Sequence, residues 1–249
     1  MKYRAHLVFT YFTFILATNL FAQDESGKST TALQLEWLEA LYGDGEVGFI
    51  YNDQSGLMIN DSLYIGAQQT LFQARKLRSL KLRRYSNQAT IQLRENQKFE
   101  MGTYYNSTGE AFATVIGWRK QDGWIKEFET ISKVEVDSSQ NADLVNNRRR
   151  DWERLANEHR PDLISQNVFS KKGKYFNRGR AYYGSEIAHA YRYMNNEGFK
   201  ITLEALNTNL VTDSTLFEVG QYDVGGKGLY VLIWTKEGAD WNLLLDFNF

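Results

Sequence analysis

Phe99-Glu100-Met101-Gly102-Thr103-Tyr104 returns in outline as Phe217-Glu218-Val219-Gly220-Gln221-Tyr222, with Glu218 following Glu100 at an offset of 118 (218 − 100). Working outward from this pair, Gly66 and Gly184 keep the same spacing, and each opens an apolar-periodic stretch (67–77 and 185–194). Gly56 and Asn60 match Gly173 and Asn177. Downstream, Trp118-Arg119-Lys120 matches Trp234-Thr235-Lys236. Trp124 matches Trp241, each after a polar turn, and an acid follows five positions later, Glu129 or Asp246. So many matches in one order, with so little drift in spacing, identify a tandem duplication, and that decides the fold.

The second copy is the better patterned. A charged, helix-permissive stretch over 141–159 carries Leu144, Trp152 and Leu155 at helical spacing, and Pro161 is expected to stop it. A short strand at 174–177 and a helix over 185–195 follow. Strands are then expected at 200–205, 212–222, 228–236 and 241–249, rich in β-branched and aromatic residues. The first copy repeats this order: helix 31–42, strand 57–59, helix 67–78, and strands at 89–93, 98–104, 111–120 and 124–132. Asp122-Gly123 suits a hairpin turn. Helices first and an antiparallel meander last make the class α+β. The polar stretch 136–147 is the boundary between domains.

The chain has 249 residues, no Cys, one Pro and a formal net charge of −1. An apolar share of 43% with 14% aromatics supports real cores and excludes wholesale disorder. The absence of Cys excludes disulfides, thiolate metal sites and a cysteine nucleophile. Balanced charge gives no footprint for nucleic acid. At the start, Lys2, Arg4 and His6 precede an apolar run over 7–21, closed by small Ala22 and polar Gln23. That order is a secretory signal peptide over 1–22, with a mature start at Gln23 and no integral membrane segment after processing. The mature chain then carries −3 (27 basic against 30 acidic residues). Export without Cys suits a bacterial periplasmic or secreted protein.

The Gly-led helix followed by E-x-G-x-Y, W-x-K, a turn and W on successive strands resembles the nuclear transport factor two-like fold, in its SnoaL-like and bacterial exported branch. The stretch 217–249 carries the resemblance best, 99–131 next. It implies two tandem cone-shaped domains, at 23–136 and 137–249, each a curved antiparallel sheet wrapped around helices with a pocket at its open end. The family includes isomerases, cyclases, dehydratases and epoxide hydrolases beside members that only bind or assemble, so fold does not fix function.

Strand alternation puts Trp241, Leu243, Leu245, Phe247 and Phe249 on one face of the last strand and Asn242, Leu244, Asp246 and Asn248 on the other. Periodicity leaves open which face meets a pocket. The resemblance implies that Glu218, Asp246 and Asn248 face the cavity and that the apolar face packs on the sister domain, as an intramolecular pseudo-dimer. The second copy alone carries Tyr175, Tyr182, Tyr183, Tyr191 and Tyr193, an aromatic set that suits a small apolar or aromatic ligand. The expected ligand wall is Tyr175, Tyr183, Glu218, Tyr230, Leu232, Asp246 and Asn248. Glu218, Asp246 and His189 are the candidate catalytic groups, although acids at both positions in both copies equally suit a scaffold role. The first cavity is expected to be smaller or plugged by Met58, Phe72 and Ile116. No metal-ligand spacing or phosphate loop occurs; Gly225-Gly226-Lys227-Gly228 joins two strands. Three functions remain: an exported binding protein, an isomerase, cyclase or hydratase using Glu218 or Asp246 as base, and an assembly module with filled pockets.

Overall fold

The computed structural model describes residues 28–43, 45–136 and 144–249. The expected leader and most of the expected boundary lie outside them. Among the described residues, the first half runs α1 (Thr30–Tyr42), β1 (Gly56–Ile59), β2 (Ser62–Ile65), α2 (Ala67–Lys76), a 3-10 turn (Leu77–Leu80), β3 (Leu82–Arg94), β4 (Gln97–Asn106), β5 (Ala111–Lys120) and β6 (Trp124–Lys133). The second runs α3 (Asn146–Asn157), α4 (Pro161–Asn167), β7 (Phe169–Asn177), β8 (Arg180–Tyr183), α5 (Ser185–Ala190), a 3-10 turn (Tyr191–Asn195), β9 (Thr202–Thr212), β10 (Thr215–Asp223), β11 (Lys227–Glu237) and β12 (Asp240–Asn248).

Each half builds a six-stranded sheet of the same order, β2-β1-β6-β5-β4-β3 and β8-β7-β12-β11-β10-β9. The sheets are mixed, not antiparallel as expected. The short first strand lies parallel to the last one, β1 on β6 and β7 on β12, because the four-strand meander brings its final strand back beside it. The opening helix ends at Asn157, short of Pro161, and Pro161 has a second role. It opens α4, where the missing N–H is one the first helical turn leaves unpaired anyway. The short strands β2 and β8 carry no strong alternation and were missed.

Both faces of each sheet are buried, so the inner strands read as continuous apolar runs. Along Leu229–Trp234, the even positions Tyr230, Leu232 and Trp234 join the cluster formed with α3 to α5. The odd positions Leu229, Val231 and Ile233 join a second cluster shared by the two sheets. There Phe128 stacks on Phe247 at 4.8 Å between ring centroids, and Phe99 stacks on Phe249 at 4.6 Å.

The last strand does not keep one apolar face. Opposite β11 the register shifts between Ile233 and Trp234, leaving Leu244 as an extra residue that reverses the facing beyond it. Trp241 and Leu243 therefore pack on the helices of their own half, while Leu245 and Phe247 pack on the sister sheet. The matching shift in β5–β6, between Gly117 and Trp118, turns Lys126 inward at the place of Leu243.

Candidate functional site

A cavity of about 450 Å³ opens in the second half. Strand residues Tyr230, Leu232, Asp246 and Asn248 form one wall, with Tyr175 of β7 beside them. Trp152 of α3 and Tyr191 and Tyr193 of the 3-10 turn add to the lining, with the Tyr191 ring 4.8 Å from that of Tyr175. Phe199, Ile201, Leu203, Tyr222 and Val224 complete the lining. Two cross-strand pairs shape it, Gly220 opposite Tyr230 and Tyr222 opposite Gly228. A Cβ at Gly220 would run into the Tyr230 ring, and one at Gly228 into the Tyr222 ring. Each glycine thus lets a tyrosine lie across the neighbouring strand instead of standing upright in the cavity.

Asp246 is the one acid in this lining, and it is 3% exposed. The Tyr191 hydroxyl donates to its Oδ2. Burial pushes the Asp246 carboxyl up to about 7, against the pull of that hydrogen bond. Burial, reinforced by the Asp246 charge, drives the Tyr191 phenol well above its usual range, so Tyr191 remains a donor at neutral pH. Asn248 accepts at Oδ1 from Asn177 Nδ2 at 2.8 Å and from the Tyr175 hydroxyl at 3.5 Å, which fixes its amide. The indole N–H of Trp152, itself 5% exposed, has no hydrogen-bond partner among the described residues.

Of the expected wall, the structure brings together Tyr175, Tyr230, Leu232, Asp246 and Asn248. Glu218 lies behind it. That carboxylate is fully buried and accepts from the Tyr230 hydroxyl (2.8 Å), Trp234 Nε1 (3.1 Å) and Arg149 Nη1 (2.9 Å). Burial raises its pKa despite Arg149 and the two hydrogen bonds. Tyr183 points outward, 48% exposed, and His189 is exposed beside Arg192. Trp152, Phe199, Ile201, Leu203, Tyr222 and Val224 were not anticipated. Strand parity held a signal for Tyr222, four positions after Glu218 on the same strand face. The helical spacing of Trp152 and Leu155 held one for Trp152.

The corresponding space in the first half is filled, but not as expected. Met58 packs between the sheets and Phe72 is 60% exposed; only Ile116 lies in that half's own core. Tyr104, the counterpart of Tyr222, fills the space with Tyr85, their ring centroids 5.2 Å apart. The Tyr104 hydroxyl donates to Glu129 Oε1 at 2.5 Å and accepts from Gln34 Nε2. Lys126 Nζ donates to Glu129 Oε2 at 2.8 Å and sits 3.8 Å from the Trp37 ring centroid. Burial lowers the Lys126 pKa to about 8 although Glu129 opposes it. Glu100 accepts from Trp118 Nε1 at 3.3 Å, as Glu218 does from Trp234. A second cavity of about 450 Å³ in this half lies elsewhere, between Lys28, Leu33 and Glu36 and the turn around Trp124.

Among the described residues, no three His, Cys, Asp or Glu side chains gather to hold a metal ion. No helix among them is long and apolar enough to cross a membrane. No protein-family model matches the chain, and no curated protein matches it. Solved structures match less than half of the chain each. An NTF-2-like protein of unknown function from Shewanella oneidensis MR-1 is 16% identical, at TM-score 0.39, covering 43% of this chain and 96% of its own. A ketosteroid isomerase-like protein from Erwinia carotovora atroseptica is 18% identical, at TM-score 0.34, covering 43% and 94%. A domain of unknown function with a cystatin-like fold from Nostoc punctiforme is 14% identical, at TM-score 0.38, covering 45% and 78%.

Proposed function

We propose that the protein is an exported binding protein, built of two nuclear transport factor two-like domains by tandem duplication, whose second domain holds a small, mostly apolar organic molecule. One observation carries this reading: the second half keeps a cavity of about 450 Å³, large enough for a small ligand, where the first half fills the same space with its own side chains. The cavity speaks against an assembly module with filled pockets. The basic, apolar, small-residue order of positions 1–22 supports export. The apolar layer between the sheets supports an intramolecular pseudo-dimer.

The test is mass spectrometry of small molecules retained by the purified mature chain, beside Leu232→Trp, which narrows the cavity at its strand wall. The reading predicts a retained organic molecule that Leu232→Trp loses while the variant remains folded by circular dichroism. Equal retention by both proteins, or none by either with no uptake of added apolar probes, overturns it.

Proton-transfer catalysis of the isomerase, cyclase or hydratase kind is a second reading, favoured by Asp246 alone. Its carboxyl, held near 7 beside the Tyr191 hydroxyl, is suited to exchange a proton with a bound carbon acid at neutral pH. Glu218 is no longer a candidate base, because Arg149 and two hydrogen bonds occupy it behind the wall. Deuterium uptake into the retained molecule in heavy water, lost in Asp246→Asn, would favour this reading.

A further inference from the structure

We propose that the second-half pocket is shaped for an organic cation, an ammonium head seated beside Asp246 among aromatic faces. The inference rests on the small-molecule reading above and names the chemical class of the ligand. Seven of the thirteen lining residues are aromatic, one is a carboxylate, and none is Lys, Arg or His. Aromatic faces present negative charge density, and with a single acid they make a site that favours a cation over a neutral or anionic molecule.

Charge pairing elsewhere in the molecule sharpens this. Buried Glu218 has Arg149, Glu127 has Arg119, and Glu129 has Lys126. Among the described residues two buried acids have no ion-pair partner: Glu100 accepts from Thr30, Thr31 and Trp118, and Asp246, the one that lines the cavity, accepts from the Tyr191 hydroxyl. Two arginines act on pocket tyrosines from outside the wall, and both are engaged: Arg149 with Glu218, and Arg94 with the Lys227 carbonyl oxygen at 3.0 Å.

The first half displays the filled version of the same arrangement. Lys126 places its ammonium against Glu129 and over the Trp37 ring, within 6 Å of the Trp118 ring centroid (5.9 Å). In the second half Asp246 stands where Glu129 does, Trp234 where Trp118 does, and the opening helix again turns a tryptophan inward, Trp152. The position of Lys126 is taken by Leu243. The acid and one inward indole, Trp152, are kept at the cavity and the ammonium is missing; Trp234 and Leu243 lie outside the lining, so a ligand's ammonium would reach Asp246 from the cavity side, not from the place of Lys126.

The test compares two probes of nearly one shape, phenyltrimethylammonium and tert-butylbenzene, binding to the wild-type mature protein at about pH 8.5, where Asp246 is ionised. The expected result is at least about tenfold tighter binding of the cation, with that preference collapsing in Asp246→Asn. The wild-type comparison needs no variant to fold. Equal or tighter binding of tert-butylbenzene overturns the cation inference and leaves the small-molecule reading standing. A cation preference that survives in folded Asp246→Asn also overturns it. Binding of neither probe contradicts the cation inference, and the retention experiment then decides the small-molecule reading separately.

Discussion

At the scale of single residues, the two acids named together from the sequence have separate jobs. Glu218 ties α3 to the sheet through Arg149 and holds Tyr230 and Trp234 in place. Glu218→Gln removes the carboxylate charge facing the mostly buried Arg149 guanidinium while nearly keeping shape. Denaturant melts should show a loss of about 1–3 kcal/mol with probe binding unchanged. Lost binding at full stability would return Glu218 to the site. Asp246 faces the cavity and, among the described residues, has no cation beside it. Its folded pKa of about 7 lies above the ordinary 3.8, so the native state holds this proton more tightly than the unfolded chain. Its contribution is therefore fully present below about pH 4 and is lost as pH rises through about 7, on the order of 4 kcal/mol across the window. Melts against pH should show this decline in the wild type and a much flatter profile in Asp246→Asn. A parallel decline in the variant would contradict the assignment.

At the scale of elements, glycines and a bulge decide what faces the cavity. The E-x-G-x-Y stretch was legible as a repeat, and its function emerges from pairing: Glu218, Gly220 and Tyr222 share one strand face, and Gly220 accommodates the ring of Tyr230 from the next strand. Gly220→Ala should displace that ring, costing about 1–3 kcal/mol by overpacking and weakening probe binding together. Unchanged melting and binding would show that the ring finds another place. The meander and the opening helices followed from the residue pattern, and the placement of Asp246 and Asn248 on the wall from the family resemblance alone. The split of the last strand did not, because a bulge inserts one residue and reverses facing without any mark in the apolar pattern. Parallel pairing of the first strand with the last is a long-range contact that local periodicity does not encode. Tyr183 and His189 were named by residue type alone, and their elements turn them outward.

At the scale of the whole molecule, the layer between the sheets joins the halves. Phe247 stacks on Phe128 and Phe176 and meets Phe99 edge-on, so it touches both sheets at once. Phe247→Ala should cost about 3–5 kcal/mol, and the wild-type halves should unfold in one transition by calorimetry. Light scattering should give the protein the mass of a monomer, since the apolar sheet faces are already covered by each other. Two separate transitions, or a stable dimer at micromolar concentration, would contradict an intramolecular pseudo-dimer.

The central claim is that ligand binding resides in the second half, in the cavity walled by Trp152 and Asp246. The chain's 6 tryptophans give each indole N–H its own reporter, and among the described residues the Trp152 N–H is unpartnered beside the cavity. The most direct measurement is nitrogen–proton NMR of the indole signals, assigned by Trp→Phe variants, during titration with phenyltrimethylammonium and with tert-butylbenzene. The account predicts a saturable shift of the Trp152 signal with those of Trp37 and Trp124 unmoved. Shifts at Trp37 or Trp124 with Trp152 silent, or no saturable shift at all, would contradict it.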